Sequence, residues 1–158
     1  MLYACLKAAH LLSIVAWIGG MFFVLACLRP ATTVLEPPAR VALMHATLRR
    51  FFRVVTLAAA IAFVSGAAMI AIARAAAVRT GLAFNMPLDW YTMVVLFFVM
   101  AAVFAHIGLV LFPRLGRALA SQRWPDGAAA LEAIRREVTL NLVIGIFVIV
   151  VVRLGSAA

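Results

Sequence analysis

Two of the three histidines fall inside long apolar runs. An ionisable group there is expensive and marks a functional candidate. His10, Ser13, Trp17 and Met21 recur at helical spacing and form one stripe. Lys7 lies one turn before His10, where its amine can snorkel to the surface or meet an anion. A neutral imidazole at His10 is a candidate ligand for haem iron or copper. The competing reading is a histidine hydrogen-bonded across a helix bundle.

His106 lies in a different run. At 1.5 Å per residue, His10 sits ~9 Å and His106 ~24 Å from the same membrane edge. Two axial ligands of one haem need nitrogens only ~4 Å apart, with metal–nitrogen bonds near 2 Å. The two histidines therefore cannot clamp one haem. At the depth of His10 the other runs offer Met69, Ser65 and Met93; at that of His106, Met21 and Asn141. Imidazole with thioether suits Cu(I), or a His/Met haem. Against this, methionine is a common packing residue, and Asn141 can simply bond His106. His45 lies on a basic segment beside Arg49 and reads as a solvated surface residue.

Other chemistries lack their residues. No Asp or Glu lies deep in an apolar run, so a carboxylate proton relay is not expected. There is no Gly-rich phosphate loop, Ser-His-Asp set or paired-cysteine motif. Cys5 and Cys27 are ~33 Å apart along one helix and cannot pair. Val24-Leu25-Ala26-Cys27 faintly resembles a lipoprotein box, but no charge cluster precedes it, and processing at Cys27 is not expected.

The elements that position these residues follow from composition. The 158-residue chain is 68% hydrophobic and 12% charged, with mean hydropathy +1.17. Soluble domains run roughly 45–50% and ~25%. The fold expected is an all-α integral membrane four-helix bundle, a single domain over residues 1–158. The spans are read at about 4–28, 54–73, 90–112 and 138–152. No run alternates at period two, which argues against a β-barrel. Ten arginines fall in the connections 29–53 and 113–137, and four basic residues on the other side. The connections are therefore placed in the cytoplasm and both termini in the periplasm. Trp90 and Tyr91 fit an outer aromatic belt. The net charge of +9 is thus topology, not a nucleic-acid interface. Pro37 and Asp126 begin helical stretches leading into the second and fourth spans. Residues 39–53 read as an amphipathic segment at an anionic membrane surface. Small residues at i+4, as in Ala58, Ala62 and Gly66, read as bundle packing. No internal repeat is evident.

The order of several segments resembles CopD-type bacterial inner-membrane proteins. They are Leu6-Lys7-Ala8-Ala9-His10-Leu11-Leu12, Val15-Ala16-Trp17-Ile18-Gly19-Gly20-Met21, Leu28-Arg29-Pro30-Ala31, Arg49-Arg50-Phe51-Phe52, Phe104-Ala105-His106, Trp124-Pro125 and Arg135-Arg136-Glu137-Val138-Thr139-Leu140-Asn141. The resemblance implies a four-helix membrane domain linked to copper uptake across the inner membrane. Lys7-x-x-His10 and Trp17-x-x-Gly20 also resemble HemJ-type protoporphyrinogen oxidases. That likeness implies haem b, with Lys7 or an arginine meeting a propionate. Three readings follow, in this order. The first is a module binding copper or haem b through His10 or His106, with Lys7, Trp17, Met21, Met69 and Met93 beside them. The second is a non-catalytic scaffold bound to other membrane subunits or to a second copy. The third is a porphyrinogen oxidase.

Overall fold

The computed structural model describes residues 1–155. Four helices are long and apolar enough to cross a membrane: α1 (Leu2–Val34), α2 (Pro37–Arg79), α3 (Leu88–Ala120) and α4 (Trp124–Leu154). Among the described residues there is no strand. The protein is an all-α bundle, and each predicted span lies within one helix. His10 meets Ala62 while Gly20 faces Phe51, and Met100 meets Asn141 while His106 meets Glu137, so consecutive helices run antiparallel.

Local chemistry sets the connections. Pro37 opens α2, where its missing N–H costs nothing. One turn on, the Arg40 guanidinium donates to the carbonyls of Thr32, Thr33 and Leu35 at 2.9–3.3 Å. It thereby ties down the chain leaving α1, adding a second donor to the Thr32 carbonyl, which already accepts from Leu35 N–H. α2 ends at Arg79, and Gly81 just beyond it, with a φ of 73°, lets Leu82 N–H reach back to the Ala77 carbonyl.

α2 has 43 residues, so it is about 65 Å long, twice the ~30 Å hydrocarbon thickness. It is unbroken from Pro37 to Arg79. Residues 39–53 therefore continue the axis of the second span and do not lie flat on a membrane surface. Val41, Met44 and Leu48 are buried. The apolar face of this segment packs into the bundle.

The sequence hides a repeat. α1 contains a π turn at Val24–Leu28, and α3 contains one at Ile107–Leu111. The two are 83 positions apart. Two residues beyond each stands a proline, Pro30 and Pro113. Proline lacks an N–H, and its ring crowds the carbonyl four residues back. The widened turn makes room: Arg29 N–H bonds the Val24 carbonyl, and Phe112 N–H that of Ile107. Burial follows the same 83-residue spacing. Trp17 and Met100, Val24 and Ile107, and Thr32 and Leu115 are buried pairs on α1 and α3. Met44 and Gly127, Val55 and Val138, Ala58 and Asn141, and Ala62 and Gly145 are buried pairs on α2 and α4. The expectation of no repeat is therefore corrected. The bundle is two helical hairpins of the same orientation, the parallel-repeat arrangement of membrane folds.

Candidate metal and ligand site

A cleft of about 460 Å³ opens between the two hairpins, away from the arginine-rich end. All four helices line it, and they do so in pairs 83 positions apart. His10 faces it from α1 and Met93 from the same position of α3. Leu11 and Val94, Ile14 and Phe97, and Val15 and Phe98 follow. Ala62 with Gly145, Gly66 with Ile149 and Ile70 with Arg153 follow from α2 and α4.

His10 is held from one side. Its Nδ1 lies 2.9 Å from the Ala62 carbonyl and 3.1 Å from Ser65 Oγ. A carbonyl only accepts, so Nδ1 carries the proton and donates. Ser65 Oγ in turn donates to the Ile61 carbonyl at 2.5 Å. The Nε2 lone pair is left as the free donor of the ring. Gly66 permits this approach: a Cβ there would stand 3.1 Å from His10 Cε1. A ring nitrogen donating to a backbone carbonyl fixes the tautomer and orientation of metal-ligating histidines generally.

The floor of the cleft is Trp17 and Met100, both almost fully buried. Trp17 packs edge-on against Phe97 and Phe104, each centroid 6.0 Å away. Asn141 Nδ2 donates to the Met100 carbonyl at 3.3 Å. Among the described residues, Trp17 Nε1 and Asn141 Oδ1 have no hydrogen-bond partner. A donor and an acceptor are thus left unsatisfied next to the cleft floor. Each such group costs about 1–3 kcal/mol.

The other residues singled out from sequence are distributed differently. Ser13 is buried, but its hydroxyl folds back onto the Ala9 and His10 carbonyls of its own helix. Lys7 is exposed and forms no hydrogen bond or ion pair among the described residues. Met69 is half-buried and does not line the cleft, whereas Met93 does. Met21 is sealed in the core at 2% exposure. His106 turns away from it. Its ring is half exposed, and Nδ1 meets Glu137 Oε1 at 2.8 Å. The expected bond from Asn141 to His106 is replaced by the one to Met100. The inner grouping of His106, Met21 and Asn141 is therefore not assembled. His45 also departs from the solvated reading. It is half buried and stacks on Phe112, with centroids 4.8 Å apart and planes 3° from parallel.

Trp17 packs between Phe97 and Phe104, so its level is close to that of Met100. His10 lies seven residues to one side and His106 six to the other. That is about 20 Å along the bundle axis. The two histidines sit at separate levels, as the depth argument required.

Two residues of the cleft were overlooked from sequence. Met100 stands seven residues after Met93, on one helical face. Gly66 was read only as a packing residue, yet it makes the space for the His10 ring.

A family model described as copper resistance protein D, CopD, matches residues 45–154. The match covers more than two thirds of the chain. The chain belongs to the CopD family. No curated protein and no solved structure matches it. The comparisons lend no support to the likeness to HemJ-type oxidases. The matched residues take in α3, α4 and most of α2, and so include every cleft residue except those on α1. His10 itself precedes the matched region. Among the described residues, no three His, Cys, Asp or Glu side chains gather into a metal cluster.

Proposed function

We propose that this CopD-family protein takes up Cu(I) as cargo within a bacterial inner membrane, at the cleft between its two hairpins. His10 Nε2 is the nitrogen donor, and Met93, at the same level of the bundle, supplies soft sulfur; Met100 lies about 10 Å deeper, on the cleft floor. The observation carrying this reading is the His10 Nδ1 bond to the Ala62 carbonyl. It fixes the tautomer with the free nitrogen available at a cleft that two thioethers also line. Imidazole with thioether favours Cu(I) over harder cations. The excess of arginines at the other end supports a periplasmic position for the cleft, with both termini on that side. Copper then enters from outside.

The test is a Cu(I) titration of the full chain in mild detergent against a competing chelator. One Cu(I) per chain is expected, lost in His10→Ala. Equal affinity in parent and variant would overturn the site. An absorption spectrum on the same sample adjudicates haem b. A Soret band that His10→Ala abolishes would replace copper by haem at this cleft.

A further inference from the structure

A second cleft, of about 400 Å³, opens at the arginine-rich end between α1, α2 and α4. Its wall on α1 includes part of the π turn, Val24 and Leu25. Its depth is apolar, with Val41, Leu48, Leu131 and Val138 among the lining residues. Its rim is not. Arg29 donates to Glu132 at 3.0 Å, and Arg135 forks onto the same carboxylate. Arg136 Nε stands 3.8 Å from it. Three guanidinium groups thus share one carboxylate, leaving the rim positive.

The repeat explains why this cavity exists. The counterpart position beside α3 is filled. There Phe112 stacks on His45 and meets Phe52 edge-on, with centroids 5.1 Å apart. Shifted by 83 positions, Phe112 becomes Arg29, Phe52 becomes Arg135 and His45 becomes Ala128. Three rings are exchanged for two cations and a methyl group. The α1–α4 contact lacks the ring packing that the equivalent α3–α2 contact has, and carries positive charge at the edge of the space.

We infer that this cleft is a stoichiometric site for one anionic phospholipid. An acyl chain lies against Val41, Leu48 and Val138, and the phosphate meets Arg135 and Arg29, with the exposed Arg136 adding charge outside the rim. Charge complementarity selects the headgroup, since basic pockets between membrane helices bind anionic lipid heads. The apolar depth selects a lipid over a free anion. This site is separate from the His10 cleft and does not depend on the copper reading.

The experiment is native mass spectrometry of the full chain released from nanodiscs of equal parts phosphatidylglycerol and phosphatidylcholine. One retained phosphatidylglycerol per chain is expected. Arg135→Gln should cut its preference over phosphatidylcholine about fivefold. Ala128→Phe restores a ring where the twin hairpin has one; it should expel the lipid with the arginines intact. Thermal melting and circular dichroism confirm that both variants fold. Equal retention of the two lipids, or retention unchanged in both variants, would overturn the proposal. So would inorganic phosphate raising the melting temperature of the delipidated protein as much as phosphatidylglycerol does, which would make the rim a free-anion site.

Discussion

His10 and Met93 occupy the same position in the two hairpins, 83 residues apart, and both line one cleft. Most other paired positions of the cleft are apolar in both halves, as with Leu11 and Val94 or Ile14 and Phe97, the exception being Ile70 with Arg153. At this pair the symmetry yields one nitrogen donor and one sulfur donor. The two differ in their support. His10 is fixed by a hydrogen bond to α2, whereas a methionine adapts its three torsions to what it meets.

That difference predicts unequal effects of substitution. His10→Ala removes the oriented donor and should weaken Cu(I) binding about 100-fold or more. Met93→Leu keeps the packing and removes only the sulfur, with an expected loss nearer tenfold. Met69→Leu should leave the affinity at the parental value, because Met69 lies outside the cleft. Competition titrations of the three variants check the order. A Met69 effect as large as that of Met93 would contradict the geometry.

How much of this was legible in the sequence depends on the kind of signal. Apolar run length located all four helices, because the bilayer demands about 20 apolar residues whatever their identity. The stripe through His10 and Trp17 was legible because both lie on a regular α-helical stretch. The repeat was not. Equivalent residues can share burial but not chemistry, as do His10 with Met93 and Phe23 with His106. Core and lipid-facing positions draw on the same apolar residues in a membrane, so pattern does not expose the pairing. His106 was misplaced for a related reason. Depth along a helix says nothing about direction around it. The buried stripe of α3 runs through Met100, Ile107 and Leu111, which leaves His106 to one side.

His106 should therefore be dispensable for the cleft. Its bond to Glu137 joins two partly exposed groups, and such pairs contribute at most about 1 kcal/mol. His106→Ala is expected to leave Cu(I) affinity unchanged and to lower the melting temperature by a few degrees at most. A stoichiometric loss of copper in this variant would return His106 to the ligand set. The two measurements on one sample separate a ligand from a surface pair.

Orientation can be checked without any ligand. Alkaline phosphatase fused after Thr80, between α2 and α3, should be active, since that connection joins helix ends on the side with few basic residues. Fusion after Gln122, within the connection rich in arginine, should be inactive. The reverse pattern would place the His10 cleft on the cytoplasmic side and reverse the direction in which copper is taken up.

Two neighbouring glycines separate packing from propensity. A Cβ on Gly20 would stand 2.8 Å from Phe51 Cε2, closer than carbon atoms allow. On Gly19 it would meet nothing within 4 Å. Gly20→Ala must displace a ring at the α1–α2 contact, at an overpacking cost of about 1–3 kcal/mol. Gly19→Ala gains up to about 1 kcal/mol of helix preference with no steric charge against it. Thermal melts in one detergent should move in opposite directions. Equal shifts would mean that the helix contact near Phe51 is looser than the structure has it.

Gly66 tests the site through its geometry, with no donor removed. A methyl group there would meet His10 Cε1 at 3.1 Å and Nδ1 at 3.5 Å. These contacts are tight, not prohibitive, and the imidazole is the end of a side chain that can turn. Gly66→Ala should therefore fold, with stability changed by no more than about 1 kcal/mol, since alanine's better helix preference offsets part of the crowding. The ring must move from its place beside α2, which lengthens or breaks the Nδ1 bond to the Ala62 carbonyl. Loss of the bond that orients a ligand typically costs 10–100-fold in metal affinity. The expected result is a folded variant, with parental circular dichroism and melting, whose Cu(I) affinity falls at least about tenfold. Ser65→Ala leaves the Ala62 carbonyl in place as acceptor, and its loss should be smaller. Parental affinity in Gly66→Ala would show that the orientation of His10 does not govern the cleft.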